Sequence, residues 1–117
     1  MSKLEAPRKI KSLVFEPKEI GGIQIKNRFV RSATFEGMAS EDGSVTDELV
    51  ELYKTLARGG VGLIITGYTY VQPTGRAMPR QMGIYGDDLI PGLRKIAETV
   101  HEHGDGCKVA IQVVHCG

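Results

Sequence analysis

Cysteine is scarce in this chain: Cys107 and Cys116 are the only two, and they form no C-x-x-C. Two free thiols point to a reduced, cytoplasmic setting rather than a disulfide framework. No apolar run approaches the roughly 18 residues of a membrane span. The opening MSKLEAPRKIKS lacks the apolar core that a signal peptide needs. Neither sign of charge is in excess, with 15 Lys and Arg against 14 Asp and Glu and a net charge of +1. That balance, with a pI near 7.8, gives no electrostatic case for nucleic acid or an anionic membrane. Arg8, Lys9 and Lys11 gather near the start, where a few charges read as a solvated tail. Low-complexity segments and sequence repeats are absent. At 117 residues the chain can build one domain with a modest core, and not two.

What is present is organised around Arg58 to Tyr68, RGGVGLIITGY. Val61 to Thr66 is a near-continuous apolar run, the pattern of a strand covered on both faces. Glycines flank it where a helix ends before it and the chain leaves the sheet after it. With a helical pattern on either side, it is the middle of a β-α-β-α-β chain with a parallel sheet.

Residues 1–12 read as a polar tail, and residues 13–26 as a hairpin turning at Gly21-Gly22, with Pro17 keeping its first arm at an edge. Residues 27–117 carry the βαβαβ chain. Asn27 to Phe35 is the first strand, turning small and polar at Ser32-Ala33-Thr34, and a loop follows to Val45. Thr46 caps a first helix with the apolar stripe Leu49, Leu52, Tyr53, Leu56 and Ala57. After the central strand comes a long loop, Thr69 to Gly86, well beyond the ~2–6 residues usual in α/β units. Asp87 or Asp88 caps a second helix, striped by Leu89, Leu93, Ile96, Ala97 and Val100. Val109 to Val114 is the third strand, interrupted by Gln112.

Ligands of parallel β/α folds bind at the carboxyl ends of strands. There the three strands present Ser32, Ala33 and Thr34; Thr66, Gly67 and Tyr68; and Gln112 and His115. Small residues let a flat ring approach the backbone, and a glutamine offers both an acceptor and a donor. That set suits the pyrimidine edge of a flavin, as it would other amide-edged rings. Other polar residues read as structural. Gly59, Gly60 and Gly62 precede the strand with no Gly-Lys-Ser/Thr after them, so they are not a phosphate loop. His101 and His103 diverge on a helix and make no metal pair. Arg76, in the long loop, is read as holding that loop.

In the segments KNRFVRSAT, LARGGVGLIITGYTYVQPTGR, MGIYGDDLIPGLRKIAETVHEHG and IQVVHCG, the chain resembles the NADH:flavin oxidoreductase / old yellow enzyme family. The resemblance runs from about Phe15 to Gly117, and its SAT version of the first strand is most similar to the NADH oxidase-like and dienoyl-CoA reductase-like branch. It implies the N-terminal portion of a (β/α)8 barrel with FMN at the C-terminal mouth and NADH or NADPH as reductant. Ser32, Ala33, Thr34, Gly67, Tyr68 and Gln112 would then be cofactor-binding, with Gln112 on the pyrimidine part of the ring and His115 on the substrate or flavin side. Three positions depart from the family pattern. Ala33 and Phe35 stand where many members have proline and then threonine or cysteine, and Tyr68 stands where a small residue is usual.

A complete barrel of this kind takes ~250 residues, so the chain reads as a fragment with its catalytic residues expected beyond Gly117. The intact relative would pass hydride through flavin to an electron-poor alkene or similar small molecule. The piece alone would be inactive, and its open sheet edges would take up the remaining barrel or a second copy. Two other readings of the residues stay open: a piece of another barrel enzyme with a phosphate-bearing substrate, and a non-catalytic α/β interaction module.

Overall fold

A computed structural model describes residues 12–117; apart from Ser12, the polar N-terminal stretch lies outside the described residues. A 3-10 turn at Leu13–Phe15 leads into a hairpin of β1 (Lys18–Ile20) and β2 (Ile23–Ile25), paired antiparallel with Ile20 opposite Ile23. Its turn residues Gly21 and Gly22 have φ of 55° and 87°, the left-handed pair that a two-residue hairpin turn requires. The expected hairpin is therefore present.

Three parallel strands follow in the order β3-β4-β6, namely β3 (Val30–Arg31), β4 (Leu63–Ile65) and β6 (Lys108–Ala110). Val30 and Leu63 share one register row with Lys108; Arg31, Ile64 and Val109 share the next. Helix α1 (Asp47–Arg58) joins β3 to β4, and α2 (Ile90–His103) joins β4 to β6. Two short strands, β5 (Thr69–Tyr70) and β7 (Val113–Val114), pair parallel just past the ends of β4 and β6.

Helix α1 begins where Thr46 Oγ1 accepts from Leu49 N at 3.2 Å, with Asp47 and Glu48 in the first turn favoured by the helix dipole. Leu49, Tyr53 and Ala57 of its stripe are buried. They pack with Ile96 and Val100 of α2 and with Ile64 of β4 into a core that also takes in Ala39, Met82 and Cys107. That core lies on one face of the sheet. Ile64 is fully buried, while Leu63 and Ile65, alternating to the other face, are only half-buried. The expectation that the central strand is covered on both faces is thus met on the helix side alone.

Four other boundaries differ from the sequence reading. The first strand is regular only at Val30–Arg31, because Asn27 holds its start in a turn, accepting from Phe29 N at 3.1 Å and donating to Gly60 O at 2.7 Å. The second helix has no side-chain cap: Asp87 and Asp88 lie in a 3-10 turn, and Leu89 is the N-cap. The third strand divides into β6 and β7 at Ile111-Gln112. The long loop opens as strand β5 and then folds back, with Tyr70 N donating to Met82 O and Ile84 N to Tyr70 O. Among the described residues, no helix is long and apolar enough to cross a membrane.

Candidate functional site

The parallel register carries the three strand ends to one level. Thr66 N donates to Ala110 O at 2.9 Å, Gln112 N to Thr66 Oγ1 at 3.3 Å, and Thr69 N to Gln112 O at 2.9 Å. A side-chain oxygen here replaces a backbone acceptor, which is why the regular ladder breaks between β4 and β5. On the other side of β4, a Cβ placed on Gly67 would stand 2.6 Å from Thr34 O. Only glycine lets these two backbones come so close. Thr34, Gly67 and Gln112 are therefore neighbours on one rim.

Along that rim, Ser32 and Thr34 are exposed, Ala33 is half-buried, and the Thr34 hydroxyl donates to Ser32 O at 3.0 Å. Gln112 is exposed, and its side-chain amide has no hydrogen-bond partner among the described residues. Tyr68 and Phe35, the two bulky departures from the family pattern, meet edge to face with ring centroids 5.8 Å apart. Each fills space beside the other, so the larger side chain at one position is accommodated by the larger side chain at its neighbour.

His115 is placed differently. Its Nε2 lies 3.1 Å from Gln72 Oε1, and its Nδ1 accepts from Gly117 N at 3.2 Å. The ring also lies close against Gly75, where a Cβ would be 2.7 Å away. It is engaged by the long loop rather than aligned with the Thr34–Gly67–Gln112 row. Arg76 holds that loop as expected, donating to Glu41 O at 3.1 Å.

Behind the rim is a polar cluster that the sequence pattern did not single out. The Tyr53 hydroxyl donates to Glu36 Oε2. Gly67 N donates to the same carboxylate oxygen at 3.0 Å and lies 3.2 Å from Tyr53 Oη. The Gly67 carbonyl accepts from Thr66 Oγ1 at 3.0 Å and Thr69 Oγ1 at 2.9 Å. Burial raises the Tyr53 pKa well above its ordinary 10.0, reinforced by the hydrogen bond and charge of Glu36 and opposed by Gly67 and Arg31. Arg31 contributes a buried Nη1 with no hydrogen-bond partner among the described residues. Two signals were legible: an acid directly after a strand, and a tyrosine in a leucine stripe, whose hydroxyl must find a partner when buried.

A free amide, exposed hydroxyls and closely spaced small residues fit the edge and face of a planar heterocycle such as a flavin. They offer a ring both donors and an acceptor. Arg76 lies outside this row, in the long loop, where it donates to the Glu41 carbonyl.

A model of the NADH:flavin oxidoreductase / NADH oxidase family matches residues 13–117. A 4,4'-dithiodibutanoate disulfide reductase of Rhodococcus erythropolis is 36% identical over 89% of this chain and 25% of its own length. An NADPH dehydrogenase of a Geobacillus species is 40% identical over 92% of this chain and 32% of its own. The crystal structure of an old yellow enzyme from a Pichia species superposes with a TM-score of 0.82 at 28% identity, covering 90% of this chain and 27% of that one. The chain thus spans about a quarter to a third of the length of these relatives. Its hairpin and its three parallel strands joined by two helices are a portion of the (β/α)8 barrel of the old yellow enzymes. The chain belongs to the NADH:flavin oxidoreductase / NADH oxidase family.

Proposed function

We propose that this chain forms the ring-binding part of an FMN-dependent NAD(P)H oxidoreductase. The observation that carries the reading is the unpartnered amide of Gln112, set level with Gly67 and Thr34 on one rim. Gln112 would hold the pyrimidine edge of the ring, with Ser32, Ala33 and Thr34 along one side and Gly67 and Tyr68 beside them. When bound, FMN supplies hydride transfer from NADH or NADPH to an electron-poor alkene or a related small-molecule acceptor. The residues of this chain orient the ring and shield one side of it. His115 would lie on the substrate or flavin side, and turnover would call on catalytic residues other than these. Both cysteines are free thiols, which suits a cytoplasmic protein.

Titration of FMN into the purified chain, followed by quenching of flavin fluorescence, tests this reading. Saturable binding is expected, and Gln112→Ala should weaken it about tenfold, roughly the loss of one or two hydrogen bonds. Absence of binding, or equal binding by the Gln112→Ala chain, would rule out the assignment.

A further inference from the structure

Both polar backbone groups of Gly67 are taken up by side chains: its N–H by Glu36 and Tyr53, its carbonyl by Thr66 and Thr69. Nothing in strand pairing requires this, since a residue at a strand end ordinarily spends these groups on the neighbouring strand or on water. The contributors come from four places: the segment after β3, helix α1, the end of β4 and the start of β5. The hydroxyl from α1 is attached to a ring that is 0% exposed, so its position is set by the helix core. Glu36 is only half-buried, but its carboxylate presses on Gly67 so closely that a Cβ there would lie 2.5 Å from Oε1.

We propose that Glu36 and Tyr53 are positioning residues that set the height and spacing of the Gly67–Tyr68 backbone relative to Thr34. They act through the Gly67 N–H, and Tyr53 thereby couples the packing of α1 to the shape of the site. This extends the flavin reading above and rests on it for the ligand involved: a ring lying on Thr34 and Gly67 is held well only if the two backbones keep their separation. Arg31, whose charge opposes the rise in the Tyr53 pKa, brings a buried Nη1 with no hydrogen-bond partner among the described residues.

The test uses the whole chain with Tyr53→Phe, Glu36→Ala and Glu36→Gln. Two readouts are taken: the Gly67 amide signal in an amide nitrogen–proton correlation spectrum, which needs no ligand, and the affinity for FMN. Far-UV circular dichroism selects variants that remain folded. Glu36→Gln keeps an acceptor oxygen and serves as the conservative rescue. The Gly67 amide should move upfield in Tyr53→Phe and furthest in Glu36→Ala. FMN affinity should fall about tenfold in Glu36→Ala, equivalent to one charge-assisted hydrogen bond, and recover largely in Glu36→Gln. An unmoved Gly67 amide overturns the proposal, as does an amide that moves while all variants bind FMN like the parent chain. If the parent chain binds no FMN but the amide moves as expected, the flavin reading falls while Glu36 and Tyr53 stand as holders of the strand end.

Discussion

Tyr53 belongs by spacing to the apolar stripe of α1, and its ring is indeed in the core, yet its hydroxyl serves the strand ends. Periodicity assigns a face to a residue and is silent about what the tip of the side chain meets. The same residue makes a pH prediction. Its folded pKa is raised above the 10.0 of the free phenol, so its contribution to stability is complete below that value. As pH rises past it, the unfolded chain releases a proton that the folded chain keeps, and stability falls. Urea midpoints measured near pH 8 and near pH 11 should therefore drop for the parent chain and drop less for Tyr53→Phe. Some alkaline loss will persist, because the Tyr70 pKa is also raised by burial. An equal fall in both chains would show that Tyr53 is not the group responsible.

At the scale of elements, the two helices were legible because each carries a stripe and a stop signal, and their packing against Ile64 follows from those stripes. Thr46 shows how local the instruction is: its hydroxyl accepts from Leu49 N and donates to Met38 O at 2.6 Å. Thr46→Ala should cost about 1 kcal/mol of stability, up to ~2 if the loop carbonyl is left unpaired. Chemical denaturation reads this directly, and a change below a few tenths would mean water replaces both bonds. The second helix was harder. Two aspartates precede it, but a 3-10 turn intervenes and neither caps it, so the residue type was right for a cap and the geometry did not use it. The strands were located but not bounded. Their ends depend on which carbonyl or hydroxyl the neighbouring strand offers, as Thr66 offers Oγ1 to Gln112.

For the molecule as a whole, the feature that bears on behaviour in solution is the pair of outer strands in the three-stranded sheet. β3 and β6 each have one neighbour in their three-stranded sheet, and Phe29, Val30, Ile111 and Val113 are exposed. An apolar groove of about 350 Å³, lined by Leu93, Ile96, Ala97, Val109 and Ile111 among others, lies between α2 and β6. Unpaired edges and uncovered apolar surface favour association. Size-exclusion chromatography should show an apparent mass that rises with concentration; a monomer at every concentration would argue against it. The purified chain should show no NAD(P)H-dependent turnover with FMN, and measurable turnover would place the missing chemical groups within these residues.

From sequence alone came the order of elements, the two helix faces, the turn at Gly21-Gly22 and the identity of the residues at the strand ends. These depend on spacing along the chain and on the backbone freedom of single residues, which are local properties. The sequence could not say that Phe35 and Tyr68 would pack together, that His115 would be engaged by Gln72, or that Glu36 and Tyr53 would meet at the Gly67 N–H. Those pairings join residues far apart in the chain. They exist only once the parallel register and the packing of α1 have brought the partners within hydrogen-bonding distance.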